Sequence, residues 1–131
     1  VRLLAERRFD AARQAAEQGF DLARRFRNPR YEVMFLGNLA QVHYRAFRYR
    51  TTLGLYLSAA EIARKAGAWD DLARVHTALS SIYLEFSDAN SALLAIQSAM
   101  RACARFANAA DTATATLLLE VTLQAATVFS E

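Results

Sequence analysis

Apolar residues recur along this chain at intervals of three and four, the spacing that gathers side chains on one face of an α-helix. Over Tyr31–Ala46 they fall at Phe35, Leu39, Val42 and Ala46, and over Arg50–Ala66 at Leu53, Tyr56, Ala60 and Ala63. Over Asp70–Phe86 they are Val75, Leu79, Ile82 and Phe86, and over Ser91–Phe106 they are Leu93, Ile96, Met100 and Cys103. The same pattern predicts a helix over Asp10–Arg27, a helix fragment before it at Val1–Arg8, and a last helix over Asp111–Phe129. That makes about seven helices. Thr112, Thr114, Thr116 and the branched run Leu117–Leu123 suit a strand by propensity. A lone strand beside a set of helices has no pairing partner, so a helix is expected there too.

The punctuation agrees. Asn28-Pro29 is expected to stop one helix and start the next, with Asn tolerating left-handed backbone and Pro suited to a first turn. Gly67 and Asn108 take the stopping role later, and Asp70, Ser87-Asp88 and Asp111 are N-cap candidates. Such short connections force neighbouring helices antiparallel.

Sliding the sequence over itself by 40 residues aligns columns of like residues. Gly19, Ala59 and Ala99 coincide, as do Ala23, Ala63 and Cys103; Phe20, Ala60 and Met100; Leu39, Leu79 and Leu119; and Ala12, Thr52 and Ala92. Columns of small residues at a fixed period mark helices packed closely in a stack. The chain therefore reads as one array over residues 1–131, in units of about 1–28, 29–68 and 69–108 with a half unit at 109–131. It lacks an initiator Met and starts mid-helix, so it is expected to be a piece of a larger protein.

Composition narrows the function more than the fold. Alanine supplies 28 of 131 residues, against one proline and four glycines, which favours helix over a turn-rich β protein. No stretch has the 18 or more continuous apolar residues of a membrane span, and no signal-peptide core follows Val1. The single Cys103 excludes an internal disulfide and thiolate clusters, so a cytoplasmic location is expected. His43 and His76 have no metal-site spacing, and there is no phosphate loop or nucleophile motif. No catalysis, metal or cofactor is expected.

Residues 1–50 carry 11 Arg against 5 acids, and residues 51–131 carry 5 Lys and Arg against 8 acids. The basic part raises a nucleic-acid reading, but its arginines alternate with acids at helical spacing, as in Glu17 and Asp21 before Arg24 and Arg25. The acidic second half also breaks any continuous basic face. His43 and His76 are expected to be packing residues, and Cys103 a small buried hydrophobe. Trp69 is expected to cover the end of the preceding helix pair. The aromatics Phe35, Tyr44, Phe47, Tyr49 and Tyr56 are read as interhelical core.

These residues resemble the tetratricopeptide repeat family. The likeness lies in Leu39-Ala40-x-x-His43 followed by Tyr49-x-x-Thr52, in Leu79-Ser80-x-x-Tyr83 followed by Ala89-x-x-Ala92, and in Phe9-x-x-Ala12 with Ala16 and Gly19. The period of 40 exceeds the family's usual 34, as in its long-repeat bacterial branch. Leu36, His76 and Thr116 stand where the family's early tryptophan would be, and Glu120 where a small packing residue would be. The resemblance implies an all-α superhelix of antiparallel helix pairs that binds a protein or peptide and does no chemistry. Such arrays also serve as sensor or regulatory segments of larger bacterial proteins, which is the alternative expectation.

The family's concave face is lined by first-helix residues. Here that stripe is Met34, Asn38, Gln41 and Arg45, then Arg74, Ala78, Ser81 and Glu85, then Thr114, Leu118, Val121 and Ala125. Asn38, Gln41, Arg45, Arg74, Ser81 and Glu85 are the expected partner-binding residues. Asn38 and Arg74 match part of the family's carboxylate clamp, but Ala78 replaces its basic residue, so no true clamp is expected. The last helix carries more apolar residues than one buried face needs, and it is expected to pack on a second chain, as self-association, or on sequence beyond this piece.

Overall fold

The computed structural model describes residues 2–107 and 112–130. Among the described residues six α-helices follow one another: α1 (Arg2–Arg25), α2 (Pro29–Arg45), α3 (Tyr49–Ala66), α4 (Trp69–Glu85), α5 (Ala89–Phe106) and α6 (Thr112–Ser130). There is no strand among the described residues, and the threonine-rich run of α6 is helical. The expected break between Val1–Arg8 and Asp10–Arg27 does not exist. Nothing in Arg2–Arg25 breaks a helix before Gly19, and the alanine-rich run carries one continuous helix of 24 residues.

The turns show why the helices stop where they do. Arg27, Phe47, Gly67 and Ser87 have φ of 52, 62, 67 and 56°, and they stand 20 residues apart. After each, the next amide bonds back over the helix end: Asn28 N to Ala23 O at 2.9 Å, Arg48 N to His43 O at 2.9 Å, Ala68 N to Ala63 O at 3.0 Å and Asp88 N to Tyr83 O at 2.9 Å. This six-to-one closure satisfies carbonyls that the ending helix leaves free. The period of 40 is thus two equal modules of one helix and one turn.

Two expectations about these boundaries need correction. The left-handed residue of the first turn is Arg27, not Asn28, whose φ is −110°. Asn28 precedes Pro29, and the proline ring pushes the residue before it to extended backbone. There Asn28 serves as the N-cap, its side chain accepting from Tyr31 N at 3.3 Å. Asp88 caps α5 in the same way, accepting from Ser91 N at 3.0 Å. Asp70 is not a cap: Gly67 takes the left-handed place, Ala68 becomes the capping position, and Asp70 and Asp71 fall in the first turn of α4. There they complement the positive end of the helix. The expected stop at Asn108 and cap at Asp111 lie outside the described residues.

Each helix packs on the next, and α4 also touches both α2 and α6. The odd-numbered helices do not touch one another among the described residues. The core runs along the seam between the two sets. It is built on Leu36, Leu79, Ile82, Ile96, Leu117 and Val121, with Ala40, Ala59, Ala63, Ala73 and Ala99 letting backbones approach. At Gly19 the approach leaves no room for a side chain: a Cβ there would lie 2.3 Å from the ring of Phe35 on α2. Thr52, fully buried, has its hydroxyl 2.9 Å from Arg48 O and 3.3 Å from Ala40 O, tying α3 to α2.

Candidate functional site

Asn38, Gln41, Arg45, Arg74, Ser81 and Glu85 are all exposed, on the two helices α2 and α4 that touch directly. The 40-residue register makes these helices equivalent, so their outward stripes run side by side. Side-chain bonds link the row. Tyr44 Oη on α2 donates to Glu85 Oε1 on α4 at 3.0 Å, and Gln124 Nε2 on α6 donates to Ser81 Oγ at 3.1 Å. At the other end of α2, Arg30 donates to Asp70, and its Nε lies 3.2 Å from Asp71 Oδ2.

Four of the six residues are therefore partly engaged. Glu85 and Ser81 accept the bonds just named, Gln41 Nε2 donates to Tyr56 Oη at 2.9 Å, and Arg74 lies 3.9 Å from Asp70. Asn38 and Arg45 make no side-chain bond or ion pair among the described residues. Arg30, Tyr44, Asp70, Asp71 and Gln124 complete the row and are absent from the sequence-based set. Arg30 and Asp70 could have been found, since opposite charges share one position of the repeat. The pairs Tyr44–Glu85 and Ser81–Gln124 are offset by 41 and 43 residues, and the stagger between helices is not written in the register.

The electrostatics follow from this row. Burial pushes the Asp71 carboxyl up, Asp70 beside it adds to the effect, and Arg30 and Arg74 oppose it. Asp71 and Asp70 in turn raise the Arg30 guanidinium above its ordinary value. The bond to Glu85 raises the Tyr44 phenol. The face can offer guanidinium and amide donors at Arg45, Arg74 and Asn38 and a carboxylate at Glu85, which suits backbone carbonyls and charged side chains. Of the third stripe, Val121 and Ala125 are buried, while the side chains of Thr114 and Leu118 lie outside the described residues.

The other candidates take packing roles. His43 is buried, its ring edge-on to Phe9 at 5.6 Å between centroids. His76 is half-buried rather than fully in the core. Cys103 is buried, and burial raises its thiol pKa, which makes it a poor nucleophile. Trp69 opens α4 and packs against the core, with the Arg105 guanidinium 4.6 Å from its ring centroid. Phe47 corrects the reading of the aromatics as core. It holds the left-handed turn position and is 78% exposed, edge-on to Tyr49.

Two grooves among the described residues are lined by apolar side chains. One, of about 220 Å³, lies between α1 and α2 and is lined by Leu22, Phe26, Tyr31 and Phe35 over Gly19. The other, of about 200 Å³, lies over α4 between Leu57 on α3 and Leu94 on α5 and includes His76 and Tyr83. Among the described residues no group of three or more His, Cys, Asp or Glu side chains is placed to hold a metal, and no helix is long and apolar enough to cross a membrane. No protein-family model, curated protein or solved structure matches the chain.

Proposed function

We propose that this chain is a non-catalytic protein-binding scaffold of the tetratricopeptide-repeat type, a superhelix of antiparallel helix pairs that holds an extended or helical peptide across α2 and α4. The observation that carries this reading is the polar row itself. Exposed donors at Asn38 and Arg45 have no partner among the described residues, and they lie on the same pair of directly touching helices as Arg74 and Glu85. The layering supports the superhelix. Helices α2, α4 and α6 touch in series while α1, α3 and α5 stay apart, and such an imbalance bends a stack toward the side whose helices lie closer together.

The test is selection of a binding peptide from a displayed library, followed by calorimetry on variants. The double change Arg45→Ala and Arg74→Ala is expected to weaken binding by about 1–3 kcal/mol per lost charged hydrogen bond. Arg64→Ala on the outer surface of α3 is the control and should leave affinity unchanged. The opposite outcome would put the site on the other side of the stack.

A further inference from the structure

The turn between α2 and α3 lies mid-chain, with described helices on both sides of it, and its sequence alternates rings with guanidinium groups. Residues 44–50 read Tyr-Arg-Ala-Phe-Arg-Tyr-Arg. Arg45, Arg48 and Arg50 are all exposed, and none of them is in an ion pair among the described residues. Arg48 is laid over the Phe9 ring, 4.8 Å from its centroid. Such a contact steadies a guanidinium and leaves its N–H edge free to donate.

Phe47 is the odd residue of this turn. It holds a φ of 62° in the place where the other turns have Arg27, Gly67 and Ser87. A bulky side chain is strained there, and glycine is not. Burial does not offset the strain, since the ring is 78% exposed and meets only the edge of Tyr49, at 6.4 Å between centroids. Strain held at an exposed position, with no packing to require it, is the kind that accompanies function.

Tyr49 gathers a cluster around that ring. Its own centroid lies 5.4 Å from that of Tyr44 and 6.5 Å from that of Phe86, at the neighbouring α4–α5 turn. The two turns share one edge of the stack because both follow even-numbered helices. Two acids border this edge, and both are engaged. Glu85 accepts from Tyr44 Oη at 3.0 Å, and Asp88 accepts from Ser91 N at 3.0 Å. The edge thus presents aromatic rings beside guanidinium groups that no described carboxylate pairs with.

We propose that this edge binds single-stranded nucleic acid, with a base stacked on Phe47 beside Tyr49 and phosphates held by Arg48 and Arg50. A single strand supplies a flat ring and a negative charge at every step, which matches rings and guanidinium groups on adjacent residues. A duplex keeps its base faces in its own stack, and an acidic peptide has the charge without the faces. One turn suffices for the contact. The acidic second half of the chain therefore does not oppose it, as it opposes a basic face running through every unit. Arg45 is left to the polar row across α2 and α4, so either site can fail without the other.

Fluorescence anisotropy on the 131-residue chain tests this, with labelled oligouridylates of about 12 nucleotides in ribose and deoxyribose forms. Whichever form binds more tightly names the sugar, and equal binding means that both are taken. The same strand paired with its complement, and a polyglutamate of the same charge, are expected to bind more weakly at matched salt. The slope of log affinity against log salt should be about −1.4, from about −0.7 for each of two phosphate contacts. Arg48→Ala and Arg50→Ala should each bring it to about −0.7. Phe47→Gly is the deciding variant. It relieves the left-handed strain, so it should melt at a higher temperature than the parent while binding about tenfold more weakly. Phe47→Tyr keeps the ring and should bind as the parent does. Phe47→Asn, which tolerates left-handed backbone, replaces the glycine variant if that one loosens the turn. Arg64→Ala, on the outer surface of α3, should leave binding unchanged. Absence of binding at low salt overturns the proposal. So does a duplex or polyglutamate that binds as tightly as the strand, which would make the edge a reader of charge alone, and so does Phe47→Gly binding like the parent.

Discussion

Arg30 on α2 and Asp70 on α4 occupy the same position of the 40-residue repeat and are bonded side chain to side chain. Arg30 also faces Asp71, so one guanidinium serves two neighbouring carboxylates, and burial makes Asp71 costly to leave charged. The exposure of Arg30 keeps the contribution small, in the range of surface ion pairs. Arg30→Ala is expected to lower unfolding stability by about 1 kcal/mol, and Asp70→Asn by less, because the latter also relieves repulsion with Asp71. Urea titrations of the two single variants and the double would measure the coupling. An Arg30→Ala curve superimposed on the parent's would show that the contact contributes nothing.

The turns offer a cleaner test of backbone strain. Ser87 and Gly67 hold the same left-handed position in successive turns, but only glycine adopts it without cost. Ser87→Gly is expected to stabilise by about 0.5–1 kcal/mol. Gly67→Ala should destabilise by about 1 kcal/mol, and nothing lies within 4 Å of the added Cβ to confuse the reading. Thermal melts that move in the same direction for both would contradict the assignment.

Ala12 and Ala92 belong to one column of the repeat, yet Ala12 is exposed and Ala92 is fully buried. Ala92→Leu forces extra atoms into a filled seam and should cost about 1–3 kcal/mol. Ala12→Leu should stay within about 0.5 kcal/mol of the parent. Equal losses at the two sites would mean that α1 is covered within the monomer.

The histidines give the chain a pH dependence of known sign. Burial lowers the pKa of both His43 and His76, helped by Arg48 and Arg13 at the first and by Arg101 at the second. The unfolded chain therefore takes up protons at higher pH than the folded chain does. Stability is full above the ordinary histidine value of about 6.5 and falls as pH drops below it. Chemical unfolding at a series of pH values between about 7 and 5 should show the loss, and His76→Gln should make it shallower. A stability that rises over the same interval would contradict the burial of both rings.

Helices are legible in this sequence because their signal is local. Phe35, Leu39 and Val42, or Leu79 and Ile82, need only their own spacing to declare a face, and each predicted helix from Tyr31 onward lies within a few residues of the one observed. The repeat is legible too, since Gly19, Ala59 and Ala99 share one column of small residues, tight against Phe35 at the first and fully buried at the other two. Position within a turn is less so. That Phe47 and Arg27 take the left-handed place follows from where the helices end on either side, and neither side chain announces it.

The site was open to sequence reasoning only as a stripe. Which helix faces which, how far one slides along another, and hence that Tyr44 meets Glu85 and Gln124 meets Ser81, are set by the packing of whole helices. No pair of residues carries that information, because rotation and stagger are the outcome of many small contacts acting together. The same holds for Leu22 and Leu119. In the sequence they are two more apolar residues in regular columns. They are exposed only because the described helices cover their counterparts Ala102 and Leu79 and do not cover them.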